Sequence, residues 1–201
     1  MTKFFLIRHA SCSGLGVSLW GRTAGVTLDS KGELDAQRLA ERFKDVPLDA
    51  IYSSPMERAL QTAEPLARNA RLEVQESERL NEIDFGEWTG KTFEELSSDE
   101  TWRLFNTRRS VTTIPGGESF LEVQNRIVKE LNAIATRHTD ARVAVVTHAD
   151  VIRAAVVHFS AMPVDLIDRI EISPCSVSVV ALDKANVTLL TINNMRELVH
   201  F

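Results

Sequence analysis

Residues 3–10 read Lys3-Phe4-Phe5-Leu6-Ile7-Arg8-His9-Ala10, an apolar run of four that ends in a cation and an imidazole. A continuous run bounded by polar residues is the pattern of a strand buried on both faces; strict alternation would instead mark a strand with one wet face. Open α/β sheets take their ligands beyond the carboxyl ends of the strands. Arg8 and His9 are therefore expected at the lip of a pocket. Residues 142–148, Arg142-Val143-Ala144-Val145-Val146-Thr147-His148, repeat the pattern and also end in histidine. If the two strands are parallel neighbours, His9 and His148 meet at one edge.

Working outward, the chain alternates strand and helix signals. Residues 10–26 are small and Gly/Ser-rich, with Trp20 and Arg22 fitting a pocket rim. Asp29 or Ser30 can cap the next helix, with Glu33 completing a capping box from Ser30. That helix carries Leu34, Leu39 and Phe43 as its apolar stripe, and Pro47 closes it. Asp49–Tyr52 reads as a short strand, and Pro55 suits the first position of a helix that places Arg58 near its start. Leu60, Ala63, Leu66 and Ala67 are its inward face. Leu72–Val74 is another short strand. Leu80–Gly90 has no single period and reads as loop. Residues 92–109 form one or two short helices anchored by Trp102 and Phe105. Pro115-Gly116-Gly117 breaks the chain before a long helix over Glu118–Arg137, whose Phe120, Val123, Ile127, Leu131 and Ile134 recur every three or four residues. Asp150–Phe159 is a helix, and Val177–Leu182 and Val187–Ile192 form a hairpin around Asp183–Asn186. The order predicts an α/β fold with a mostly parallel central sheet and an antiparallel edge strand. Residues 1–201 are read as one domain, with a small helical insertion at about 90–115.

Composition bounds the function. The chain has 201 residues, 44% hydrophobic and 25% charged, ordinary for a soluble globular protein. A net charge of −5 argues against a nucleic-acid-binding face. Two cysteines, Cys12 and Cys175, make no disulfide framework and fit a reducing compartment. Phe4–Ile7 is too short for a signal-peptide core, and nothing approaches the roughly 18 apolar residues of a membrane span. The expectation is a soluble, cytoplasmic protein without nucleic-acid or membrane partners.

The chemistry follows from what can reach the strand ends. Arg8, Arg58, His9 and His148 together suit a dianion with several oxygens, because each guanidinium offers a planar fork of donors. Phosphate is the obvious guest, and no Walker-type glycine loop is present to suggest a nucleotide. A histidine beside arginines is held neutral by like-charge repulsion and can attack phosphorus. A leaving alkoxide needs a proton, and Glu82 in the adjoining loop can supply it.

Leu6–Ala10 resembles the Arg-His-Gly signature of the histidine phosphatase superfamily, the branch that includes cofactor-dependent phosphoglycerate mutases. Tyr52–Ala63, Leu80–Gly90, Pro115–Ser119 and Val145–His148 are similar to its further motifs, in family order. The resemblance implies a three-layer α/β/α fold and a residue-by-residue assignment. His9 would become phosphohistidine, and Arg8, Arg58 and His148 would hold the phosphoryl oxygens. Glu82 would be the proton donor and then the base that activates water. Arg22 and Thr23, Gly117-Glu118-Ser119 and Ala149 would face the substrate. No metal or organic cofactor is implied. The chain departs from the family pattern at Ala10, where glycine is usual, and in lacking the acid and asparagine that commonly follow. Ser11, Ser13 or Arg22 are left to supply the missing phosphate donor. Asp150 stands where a small residue is common and would either contact substrate or cap a helix. Trp20 and Trp88 are expected in the pocket wall, Trp102 in packing.

The favoured activity is hydrolysis of a small phosphorylated metabolite, because the resemblance implies a longer insertion in the mutases than the stretch Thr89–Pro115 offers here, which leaves the site open to water. A phosphoglycerate or phosphosugar mutase is the alternative, then a non-catalytic phosphate-binding regulator. A homodimer is compatible with this reading.

Overall fold

The computed structural model describes residues 1–201. Its frame is a six-stranded sheet of β1 (Thr2–Arg8), β2 (Ala50–Ser53), β3 (Val74–Glu76), β4 (Arg142–Thr147), β5 (Val177–Leu182) and β6 (Val187–Asn194), in the order β3-β2-β4-β1-β5-β6. β1 and β4 are parallel neighbours in a register that pairs Arg8 with Thr147, so the two histidines that follow emerge side by side. β2 is parallel to β4, and β3 to β2. The reversed strand is β5, antiparallel to both β1 and β6, so it lies one place in from the edge. Asp183 builds the β5–β6 turn, its carboxylate accepting from the backbone N–H groups of Ala185 and Asn186 at 2.8 Å each.

The helices are α1 (Ser30–Arg42), α2 (Glu57–Ala70), α3 (Phe93–Leu96), α4 (Glu100–Thr107), α5 (Phe120–Arg137) and α6 (Ala149–Phe159). Side chains alternate along a strand, so the continuous run in β1 serves two cores. Phe4 and Leu6 join Val143 and Val145 under α5 and α6, whereas Phe5 and Ile7 join Ala144 and Val146 under α1 and α2. Three layers result, with β1 and β4 at the centre and no solvent face on either. Each fully buried side chain of the run contributes about 1.5–3 kcal/mol, which is why no polar residue interrupts it.

Local chemistry moved several expected boundaries. Asp29, not Ser30, caps α1: its carboxylate accepts from Gly32 N at 2.7 Å and from the Ser11 hydroxyl at 2.6 Å. A Cβ on Gly32 would lie 1.9 Å from the Ser11 carbonyl oxygen, so this crossing of loop and helix admits only glycine. Leu34 is 61% exposed, and the inward face of α1 is Gly32, Ala36, Leu39 and Ala40. Pro55 lies in the turn ahead of α2, which starts at Glu57 with Met56 as its cap. Leu60 is only half-buried. The third strand begins at Val74, two residues later than read from sequence. Residues 92–109 do form two short helices, α3 and α4, with Phe105 buried and Trp102 partly so. No helix is long and apolar enough to cross a membrane.

Candidate active site

His9 leaves β1 with its N–H on the Thr147 carbonyl at 2.9 Å, and Ala10 N–H donates to Thr62 Oγ1 at 3.0 Å. The Ala10 methyl, at the usual glycine position, is fully buried in the α1/α2 core. The turn fixes the imidazole. His9 Nδ1 lies 2.7 Å from the Ala10 carbonyl oxygen, which can only accept, so Nδ1 carries the proton and Nε2 keeps its lone pair. Burial, then the positive charge of Arg58, pushes the His9 pKa down to about 3. The imidazole is neutral at any ordinary pH.

His148, at the end of β4, is completely buried, with its ring centroid 5.2 Å from that of His9. Its Nδ1 accepts from Arg58 Nη2 at 3.3 Å, and its Nε2 is 2.9 Å from Ser54 Oγ, which in turn donates to Asn81 Oδ1 at 2.9 Å. Asn81 donates onward to Glu78. Burial, followed by the charges around His9 and Arg58, holds the His148 pKa well below its usual value. The relay through Ser54 and Asn81 was not singled out in the sequence; both lie inside the quoted motifs, but nothing in their spacing marks them as partners of a histidine.

The guanidiniums are the more telling groups. Arg58 is 2% exposed, donates to Gly21 O at 2.7 Å, and has no partner for Nη1. Arg8 donates to Ile172 O at 2.7 Å and has no partner for its buried Nε. Neither forms an ion pair with a carboxylate. Buried cations without counter-ions are costly, and an anionic guest would complete them. Arg58→Lys keeps the charge but loses the fork. The expected result is a roughly 10–100-fold lower kcat/KM at unchanged fold, read by phosphate release and circular dichroism.

Glu82 reaches the same place from the loop after Leu80. Its Oε1 accepts from Ile83 N at 3.0 Å, and its Oε2 is 3.8 Å from His148 Nδ1. Burial, then the nearby Asp150 carboxylate, pushes its pKa up to about 7, against the pull of Arg58. The backbone of Glu82 is clamped from behind. Its carbonyl accepts from Arg22 Nε at 3.0 Å and Arg126 Nη2 at 3.1 Å. The same two guanidiniums bind the Glu118 carboxylate, at 2.8 Å from Arg22 Nη2 and 3.0 Å from Arg126 Nε. Glu118 also exchanges backbone-level bonds with Asp84. Cβ atoms on Gly86 or Gly117 would lie 2.3 Å from backbone oxygens of the opposite turn, so the two loops meet main chain to main chain. Arg22 and Glu118, expected to face substrate, instead secure the loop that carries Glu82.

Arg8, His9, Arg58, Glu82 and Ala149 line one cavity of about 200 Å³, with His148 directly behind. Its walls come from Leu15, Gly16, Ser18, Leu19, Trp20, Phe85 and Phe93, and Asp150 and Arg153 complete it. Ser11, Ser13, Arg22 and Thr23 are not among the lining residues. The Ser11 hydroxyl is spent on the α1 cap, and the one hydroxyl in the lining is that of Ser18. Trp20 lines the cavity as expected. Trp88 does not: it is 1% exposed and packs edge-on against Trp102 and Phe105. Asp150 does not cap α6, whose cap position is His148. Cys12 lines the cavity, but burial pushes its thiol pKa up, away from a reactive thiolate. A wider cleft of about 810 Å³ beside β3 and α5 brings no imidazole, and its Arg79 and Arg137 are already paired with Glu130.

Comparison with known proteins agrees with this geometry. The family description "Histidine phosphatase superfamily (branch 1)" matches residues 4–195. Phosphoserine phosphatase 1 of Hydrogenobacter thermophilus is 34% identical over 77% of the chain and 74% of its own length. Phosphoglycerate mutase-like protein 4 of Arabidopsis thaliana is 36% identical over 76% of the chain and 68% of its own length. Among solved structures, Bacillus stearothermophilus YhfR superposes with a TM-score of 0.92 at 28% identity, covering 98% of both chains.

Proposed function

Because the chain belongs to the histidine phosphatase superfamily, branch 1, we propose that it is a phosphomonoesterase working through a phosphohistidine at His9. One observation carries the reading: a neutral imidazole with a free Nε2 stands beside the partly buried Arg8 and the buried Arg58, each with a buried nitrogen that has no partner and neither paired with a carboxylate. The phosphoryl group of a substrate supplies the missing charge. His9 Nε2 attacks phosphorus as the ester P–O bond breaks, and the departing alkoxide takes the proton of Glu82. The Glu82 carboxylate then removes a proton from water, whose oxygen attacks phosphorus and breaks the N–P bond. Inorganic phosphate leaves, His9 is again neutral and Glu82 again protonated. His148, whose Nδ1 holds Arg58, positions that guanidinium, and Arg8 and Arg58 stabilise charge on the equatorial oxygens, the main task in phosphoryl transfer. These cations do what a metal ion does elsewhere, so activity is expected to withstand chelators.

The relative named phosphoserine phosphatase supports hydrolysis of a small metabolite. The relative named as mutase-like keeps a second outcome in view. Two short helices, α3 and α4, occupy the stretch between Thr89 and Pro115, and the side chain of Glu82 retains 14% exposure, so water has access to the phosphoenzyme. We read residues 1–201 as one domain, with α3 and α4 as its insertion. Free, buried Cys12 and Cys175 fit a cytoplasmic setting.

The test is release of inorganic phosphate from an aryl phosphate in the presence of chelator, with acid-labile phosphate trapped on His9. Bisphosphate-stimulated interconversion of phosphoglycerates without net phosphate release would favour the mutase. Binding without turnover would leave a regulator. The pH profile is a second check. The first step needs Glu82 protonated and His9 neutral, so kcat/KM should fall as pH rises through about 7. His9 should impose no acidic limb until pH approaches about 3.

A further inference from the structure

The cavity that holds His9 is lined by two carboxyl groups, Glu82 from the loop after Leu80 and Asp150 from the first turn of α6. They are bound in opposite ways. Asp150 Oδ1 accepts from Arg153 Nη1 at 2.9 Å, and Arg153 Nε is in turn locked on the Ile170 carbonyl at 2.8 Å. Asp150 Oδ2 faces Arg109 Nη1 at 3.9 Å. That second guanidinium arrives from the loop after α4 and is buried over the rings of Phe105 and Phe120, with Nη2 on Asn106 Oδ1 at 3.0 Å and Asp168 Oδ1 at 3.4 Å. Asp150 is therefore a carboxylate pinned between two fixed cations. Glu82 has no such partner. Its Oε1 accepts from the Ile83 N–H, and the imidazole nitrogen 3.8 Å from its Oε2 already accepts from Arg58.

Two acids in one cavity of about 200 Å³ do not ionise alike. The one held by cations keeps its charge, and that charge opposes a second carboxylate nearby. The other groups facing Glu82 favour its ionisation: Arg58 from α2, Arg8 from β1 and, at its main chain, Arg22 and Arg126. The Glu118 carboxylate answers Arg22 and Arg126, which leaves Arg8 and Arg58 opposed by Asp150. His9 and His148 are neutral and add no charge. Of the charges around it, Glu82 feels that of Asp150 most strongly. An acid drawn to ionise by Arg8 and Arg58 would have no proton to give the departing alkoxide.

We infer that Asp150 is a positioning residue for the proton: anchored by Arg153 and by Arg109 of the helical insertion, it keeps Glu82 in the protonated form that the first step needs. This rests on the phosphomonoesterase reading and deepens it, because it assigns the acidity of the catalytic acid to a position where the family pattern commonly has a small residue. Asp150 needs no contact with substrate for this role, and its pairing with Arg153 and Arg109 is what the role requires. The insertion thereby gains a part in the chemistry, since Arg109 lies between α4 and Pro115. The sign is fixed by electrostatics. An anion beside Glu82 disfavours its ionised form, so removing the anion moves the falling limb of kcat/KM to lower pH.

The experiment records kcat/KM against pH for an alkyl and an aryl phosphate in the native enzyme, in Asp150→Asn and Asp150→Ala, and in Asp150→Glu. With the alkyl phosphate, either neutral variant should move the limb near 7 down by about one pH unit. Its loss against the native enzyme at about pH 8 should then exceed its loss at about pH 5 by roughly tenfold. Asp150→Glu keeps the charge and should return the limb most of the way. The aryl phosphate, whose phenolate needs little help from an acid, should show no such shift. The ionisation of the substrate is common to all the enzymes, and the position of a limb does not depend on the fraction folded. A limb unmoved in the neutral variants, or an equal loss at every pH, overturns the inference alone and leaves Asp150 an anchor for Arg153. A limb moved as far in Asp150→Glu as in Asp150→Asn overturns it as well, since the charge would not be the cause. Failure of the native enzyme on both substrates overturns the phosphomonoesterase reading beneath it.

Discussion

His9→Ala is expected to lower phosphate release by roughly 10⁴-fold or more, the scale seen when a covalent nucleophile is removed. No neighbour can take its place. His148 has its Nδ1 against Arg58 and its Nε2 against Ser54, so neither nitrogen is free to attack. The Cys12 thiol lines the cavity, but burial raises its pKa and keeps it protonated. The variant should still bind inorganic phosphate, because Arg8 and Arg58 are untouched, and calorimetry can read that directly. It should also fold, since the only side-chain hydrogen bond lost is the one to the adjacent Ala10 carbonyl. Residual turnover above about one part in a hundred of the native rate would mean the nucleophile has been misassigned.

Glu82→Gln should separate the two halves of the cycle. An alkyl phosphate needs its leaving group protonated, and its kcat/KM should fall about 10²–10⁴-fold, the range of general acid catalysis. An aryl phosphate expels a weakly basic phenolate that needs little help. Its first step should survive while hydrolysis of the phosphoenzyme, which requires Glu82 as base, stalls. A burst of phenol close to one equivalent per enzyme should therefore appear, followed by a slow steady rate. The limb of the pH profile near 7 should vanish with the carboxyl group that causes it. Equal losses on both substrates, with no burst, would remove Glu82 from its double role.

Much of this was legible in the sequence for physical reasons. A strand buried on both faces must be apolar without interruption, so β1 and β4 announced themselves, and their parallel pairing fixed where His9 and His148 emerge. Arg8 and Arg58 were readable because they stand at a strand end and a helix start next to them, whereas Glu82, one acid in an irregular loop, was singled out by the resemblance of its motif to the family. What failed depended on which of several similar groups wins a local competition. Asp29 outcompeted Ser30 as a cap because its carboxylate gathers two donors, one of them Ser11, and that choice withdrew Ser11 from the pocket. Leu34 fits a helical stripe, yet the close crossing at Gly32 turns the helix so that Leu34 faces water. Trp88 sits in a loop of polar and glycine residues, but its ring fills the space between Trp102 and Phe105. The clamp of Arg22, Arg126 and Glu118 joins residues more than a hundred positions apart at its extremes, and no periodicity reports such a meeting.

That clamp has a mechanical consequence. Arg22 and Arg126 grip Glu82 by its main-chain oxygen and leave its carboxyl group tethered only to the Ile83 N–H. The acid behaves as a short arm on a fixed pivot. It can swing between the departing alcohol and the incoming water, which occupy the same apical side of phosphorus at different times, without dragging its loop along. Rigidity in the hinge and freedom in the tip are thereby assigned to different atoms of one residue.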